Sequence, residues 1–152
     1  MRLSTRTRYA PFILADVALH QDHGPVQTGE MSRRLGISVK YLEQVIKSLR
    51  KAGFVIGVRG PKGGYVLGME PERLSLGQIA RLFGHSDGSA SCVSIPRLCP
   101  VSNRCIVRLA WERASEDMLR SLSAITLADL IESHPLADAS KACSSFKVKR
   151  WK

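Results

Sequence analysis

The chain has 152 residues, 44% hydrophobic and 24% charged, the size and balance of one globular domain or of one domain with an appended element. Lys and Arg number 23 against 13 Asp and Glu, a formal net charge of +10; that excess suits a polyanionic partner, because each phosphate neutralised releases condensed counterions. No apolar run reaches the length of a membrane span, and Met1 to Arg6 lack the apolar block of a signal peptide, so a cytoplasmic chain with no membrane partner and with reduced cysteines is expected.

Tyr9, Ile13 and Val17, flanked by Ala10, Leu14 and Ala18, follow helical spacing and predict a helix from Tyr9 to Leu19. Pro11 either lies in its first turn or kinks it. The polar stretch from His20 to Pro25 ends it. A short second helix is expected, capped by Thr28, burying Met31 and Leu35 and stopped by Gly36. Ile37 then points inward and Ser38 caps a third helix, in which Leu42, Val45, Ile46 and Leu49 form a core-facing stripe. After Ala52-Gly53 the period changes. The β-rich runs 54–59 and 65–67 flank Gly60-Pro61-Lys62-Gly63-Gly64, which predicts a hairpin with a basic tip. Ser75 is placed to cap a helix through Leu76, Ile79, Ala80 and Phe83. A loop from Gly84 through the cysteine segment follows, then a long helix from about Ile106 to Leu122 and a short capped one over 126–131.

Two short helices joined through Gly36-Ile37-Ser38 and followed by a hairpin make a winged helix-turn-helix, in a fold that is mainly α with a small β-hairpin. Helix-turn-helix and wing are expected at about 28–51 and 54–67. Opposite the buried stripe, the third helix presents Lys40, Tyr41, Glu43, Gln44, Lys47 and Lys51. Gln44 can pair with an adenine edge, Glu43 can accept from a cytosine amine, and the lysines meet phosphate. The segment from Ser38 to Gln44 is best placed to read bases, because recognition helices offer their N-terminal residues. Arg59 at the hairpin tip suits a narrow minor groove, with Gly60 and Lys62 beside it on the backbone. A double-stranded DNA operator is therefore the expected partner. The plainer alternative is a winged helix used for protein contacts, with a solvated charged face.

Of the four cysteines, Cys92, Cys99 and Cys105 share one polar, proline-bearing loop with spacing C-x6-C-x5-C, and Cys143 stands apart. Clustered thiolates on irregular backbone suit an iron–sulfur cluster. Structural zinc is a rival, although neither a close cysteine pair nor four ligands is evident. A thiol switch is another. His85 and His134 read as surface or packing histidines, and Cys143 as a free thiol. Beyond Asp138 the tail holds Lys141, Lys147, Lys149, Arg150 and Lys152 and no acid, which predicts a disordered basic end. No nucleophile–base pair, phosphate loop or cofactor fingerprint points to an enzyme.

Met1-Arg2-Leu3-Ser4, Arg8-Tyr9-Ala10, Asp16-Val17-Ala18-Leu19, Gly36-Ile37-Ser38 with Tyr41-Leu42-Glu43-Gln44, and Val58-Arg59-Gly60-Pro61-Lys62-Gly63-Gly64-Tyr65 together closely resemble the IscR, NsrR and RirA family of winged-helix regulators. The similarity runs from Met1 to about Ile131. It implies a repressor sensing iron, redox state or nitric oxide, with Cys92, Cys99 and Cys105 as cluster ligands. It also implies a homodimer held by the long helix, with half-sites about 34 Å apart or a multiple of that. The chain departs from the IscR pattern in having one more residue between the first two cysteines, and Arg108 where a ligating histidine stands. A four-iron cluster on three thiolates is thereby favoured over a two-iron one. The NsrR-type acidic ligand near the partner's N-terminus is replaced by Arg6-Thr7-Arg8, leaving Asp16, Glu112, a small molecule or nothing in its place. The domain organisation expected is 1–84 for DNA binding, 85–105 for the cysteine loop, 106–131 for the dimerisation helix with the short helix after it, and 132–152 for the tail. The rival functions are the same fold with a thiol switch or zinc, and an iron–sulfur carrier that does not bind DNA.

Overall fold

The structure, a computed structural model, describes residues 4–83, 100–101 and 104–133. Cys92, Cys99, Cys143, His85, His134 and the basic tail lie outside the described residues.

Helix α1 spans Thr5–His20, one turn earlier than the apolar stripe alone predicts, because Ser4 supplies the cap: its Oγ accepts from the Thr7 N–H at 3.1 Å. Pro11 therefore falls in the second turn, inside the helix, which forgoes one backbone hydrogen bond there. Ala10, Ile13, Leu14 and Val17 are fully buried on its inner face.

Helix α2 spans Thr28–Leu35. Thr28 is its first residue rather than its cap. Val26 is tied to Tyr65 by two 2.9 Å backbone hydrogen bonds, so the chain turns helical one residue early and Gln27 takes the extended N-cap position without a side-chain bond. Gly36 ends α2 at φ +65°, a left-handed conformation that side chains resist. Helix α3, Val39–Lys51, starts at Ser38, whose Oγ accepts from the Tyr41 N–H at 3.4 Å. Its stripe of Leu42, Val45, Ile46 and Leu49 enters the same core as α1.

Strands β1 (Val55–Val58) and β2 (Gly64–Leu67) pair antiparallel with Val55 opposite Leu67 and Val58 opposite Gly64. At the turn a Cβ on Gly63 would stand 2.3 Å from the Val58 carbonyl oxygen, so only glycine closes this hairpin. Helix α4, Leu76–Phe83, opens with a reciprocal cap between Ser75 and Gln78. Helix α5 spans Ile106–Ser123 and α6 spans Leu127–Ser133. Thr126 and Asp129 cap α6 in the same reciprocal way. Hydrogen bonds donated by the Thr126 N–H and hydroxyl hold the Asp129 carboxyl below its ordinary pKa, so the cap stays intact until the pH falls through that lowered value.

The chain doubles back after α5. The Leu76 N–H donates to the Ile125 carbonyl at 2.9 Å, and the Leu127 N–H to the Leu74 carbonyl at 2.7 Å. Leu127 is fully buried in the same core cluster as Leu14, Leu74 and Ile79. The short helix that the sequence groups with α5 thus packs into the core of the winged unit. α5 itself buries none of its residues: Val107 and Trp111 are 56% and 52% exposed.

One buried ion pair locks α2 onto α1. Asp16 is 3% exposed and accepts from Arg34 Nε and Nη2, both at 2.8 Å, the bidentate geometry that strengthens a charged hydrogen bond.

Candidate nucleic-acid interface and cysteine site

Burial of the Leu42/Val45/Ile46/Leu49 stripe turns the other side of α3 outward. Ser38, Lys40, Glu43, Gln44, Lys47, Arg50 and Lys51 are all exposed. The side chains of Lys40, Glu43 and Gln44 make no hydrogen bond or ion pair among the described residues, so their polar atoms are free to meet an outside partner. On the wing, Arg59, Gly60 and Lys62 are exposed at the turn between β1 and β2.

Tyr41 departs from the predicted surface. It sits on the flank of α3 that meets α1, half-buried, its ring edge-on to Tyr9 at 5.8 Å between centroids and 78° between planes. Its hydroxyl oxygen is buried without a hydrogen-bond partner among the described residues. Burial pushes that hydroxyl's pKa up, while the Arg6 and Arg8 charges pull it down. Tyr41 therefore joins two helices in this structure, and its hydroxyl is turned away from a groove-facing position.

Arg50 is a basic residue that the sequence did not single out. Its Cδ and Nη1 lie 3.9 Å from where a Gly57 Cβ would stand, so the bare backbone of β1 lets this cation lie against the wing. The only sequence signal was the missing side chain in a β-rich run.

Cys105 is a free, half-buried thiol in the N-cap position of α5, with no capping hydrogen bond. Arg104 and Arg108 flank it, and the positive end of the α5 dipole adds to them. This environment favours an anionic group over a cationic one. Among the described residues no set of three His, Cys, Asp or Glu could hold a metal; the other two cysteines of the loop lie beyond them. Both carboxylates considered as a further ligand are engaged: Asp16 holds Arg34 at the α1–α2 joint, and Glu112 stands 3.6 Å from Arg108. Asp16 is thereby removed as a substitute ligand, because a buried carboxylate already saturated by a guanidinium has no reason to leave it.

No helix among the described residues is long and apolar enough to cross a membrane. A profile of the Rrf2 family, described as an iron-dependent transcriptional regulator, matches residues 3–133. The HTH-type transcriptional regulator IscR of Yersinia pestis is 38% identical over 138 residues, covering 91% of this chain and 84% of its own. Among solved structures, T. potens IscR superposes with a TM-score of 0.70 at 33% identity, covering 88% of each chain. CymR, the global cysteine regulator of B. subtilis, superposes with a TM-score of 0.68 at 31% identity, covering 88% of this chain and 98% of its own. The winged-helix fold is that of these regulators.

Proposed function

Because this chain belongs to the Rrf2 family of transcriptional regulators, we propose that it is a dimeric operator-binding repressor controlled by an iron–sulfur cluster. As a regulator of this family it is not an enzyme. The observation that carries the DNA half is the set of exposed, internally unpartnered readers Lys40, Glu43 and Gln44 on α3, beside the basic wing tip at Arg59 and Lys62. Ser38, Lys40, Glu43 and Gln44 face the major groove, Arg59 enters the adjacent minor groove, and Gly60 and Lys62 follow the sugar-phosphate edge. Arg59→Ala is expected to cost about 1–3 kcal/mol of specific binding, a loss of roughly tenfold or more in a gel-shift titration. Equal affinity would take the wing out of recognition.

Cys92, Cys99 and Cys105 hold the cluster in this reading, and a four-iron form suits three thiolates better than a two-iron form, since Arg108 is a cation and cannot ligate. Supporting it is the chemistry around Cys105, a thiol at a helix start between two arginines. When bound, the cluster supplies a group that iron supply, oxidants or nitric oxide can alter. The test is purification without oxygen, with iron and sulfide counts and spectroscopy, alongside DNA binding of the cluster-loaded and stripped protein.

The thiol-switch reading keeps one specific support: similarity to a global cysteine regulator, together with the accessible Cys105 thiol. A colourless, iron-free wild-type protein whose DNA affinity changes on reversible oxidation would select it.

The homodimer rests on α5. Val107, Trp111, Ala114 and Met118 recur at helical spacing on one side of a helix none of whose residues is fully buried in its own chain. A second copy of the same helix across a twofold axis covers this stripe. Ala114→Glu places two like charges at its centre, and light scattering is expected to report a monomer where the wild type is a dimer. A variant that stays dimeric would move the interface elsewhere.

A further inference from the structure

We propose that Arg6 and Arg8 of α1 form a second phosphate-gripping site, extending the DNA-binding surface sideways from the start of α3 onto the backbone of the strand that borders the major groove. The proposal rests on the DNA-binding reading above and adds residues to that surface.

Helical spacing sets Arg6 and Arg8 on either side of Tyr9, and Tyr9 is the residue whose ring meets Tyr41 on α3. The two guanidiniums therefore flank the joint between α1 and the first turn of the reading helix. Both are exposed, and neither side chain makes a hydrogen bond or ion pair among the described residues. Lys40, exposed and likewise unpaired, precedes Tyr41 on α3.

Among the described residues no acid pairs with these charges. The first turns of α1 and α3 contain none. The one carboxylate within α1, Asp16, is buried and bidentate on Arg34. Cations are gathered where two helices present the positive ends of their dipoles, an arrangement that opposes the usual placement of acids at helix starts. Local rules broken without an internal remedy are expected where a partner supplies one. An incoming phosphate does so: it meets two guanidiniums and is continuous with the surface formed by Lys40 and Gln44. The site is also rigid. Ser4 and Thr7 cap the first turn of α1, and the Tyr9–Tyr41 contact carries that turn with α3. Because the arginines are on α1 rather than on the groove-facing side of α3, they contribute charge and position, and the bases are read by α3.

The salt dependence of binding tests this. The full-length protein, in one fixed preparation, is titrated against a mixed-sequence duplex of about three helical turns over a range of sodium chloride concentrations. Each lost phosphate contact lowers the slope of log K against log salt by about 0.9, so Arg6→Gln/Arg8→Gln is expected to lower it by about 1.8 per protomer. Arg6→Lys/Arg8→Lys keeps both charges and is expected to restore most of the slope. A Gln pair with the wild-type slope overturns the proposal and leaves the DNA-binding reading standing. Equal losses for the Gln and Lys pairs overturn it also, because charge is then not what matters. Wild-type protein that retains no duplex at the lowest salt overturns the parent reading, and this site with it.

Discussion

Cys105→Ala protein purified without oxygen is expected to contain neither iron nor sulfide and to lack visible absorption, whereas Cys143→Ala protein keeps both. In the proposed site three thiolates share one inorganic core, so removing one leaves the remaining pair unable to hold it, and the loss is complete rather than partial. Iron and sulfide near four per chain in the wild type identify the four-iron form, and values near two the smaller one. Cys105 is the informative position because it is the start of α5, in line with the helix that carries the proposed dimer stripe. Substitution there also separates the rival readings. Zinc would leave a colourless protein with a metal and no sulfide, and a thiol switch would leave both proteins without iron. A Cys143→Ala protein that also loses its colour would add that cysteine to the ligand set.

Asp16→Ala is expected to destabilise the fold by about 3 kcal/mol, at the lower end of what breaking a buried ion pair costs. The Arg34 side chain, 32% exposed against 4% for Asp16, can turn part of its charge to water once the carboxylate is gone. For a chain of this size the corresponding fall in melting temperature is roughly 6–12 °C. The pair sits where α2 docks on α1, so DNA affinity is expected to fall as well, through the loss of the fixed seating of the helix-turn-helix on α1. Combining Asp16→Ala with Arg34→Met removes the orphaned cation and is expected to recover part of the stability, because a buried pair replaced by apolar groups is often near neutral. Thermal unfolding of the two single variants and the double variant measures this. Additive losses would mean that the two side chains do not act as a unit.

The elements most legible in the sequence are those whose signal is local. The stripe of Leu42, Val45, Ile46 and Leu49, the stop at Gly36, the cap at Ser38 and the glycine-rich hairpin all appear as the periodicities and turn residues predict. Errors arise where a distant partner decides. Thr28 is not a cap because Tyr65, far along the chain, fixes Val26 first. Tyr41 shows the same dependence on tertiary structure. On a helical wheel it borders the exposed arc, and only the approach of Tyr9 from α1 turns its hydroxyl inward. Asp16 reads in sequence as an available carboxylate, and its guanidinium partner lies 18 residues away on another helix. Nothing in the local sequence around Leu127 says that it joins the same core as Leu14; that follows from the backbone pairing of 74–76 with 125–127. The candidate interface was legible because exposure on α3 is the complement of its burial. The cysteine site was legible only as a spacing.

The return of the chain onto itself after α5 has a mechanical consequence. At 1.5 Å per residue, the 18 residues of α5 make a rod about 27 Å long. Its far end is riveted to the core by the strand-like clasp at Leu76 and Leu127, and its near end begins at Cys105. Geometrically, any tilt of this rod about the clasp is magnified along its length. A tilt of about 5° there sweeps the Cys105 end through roughly 2 Å, and by the same leverage a small displacement at the sulfur is returned to the fulcrum as torque on the seat of α4.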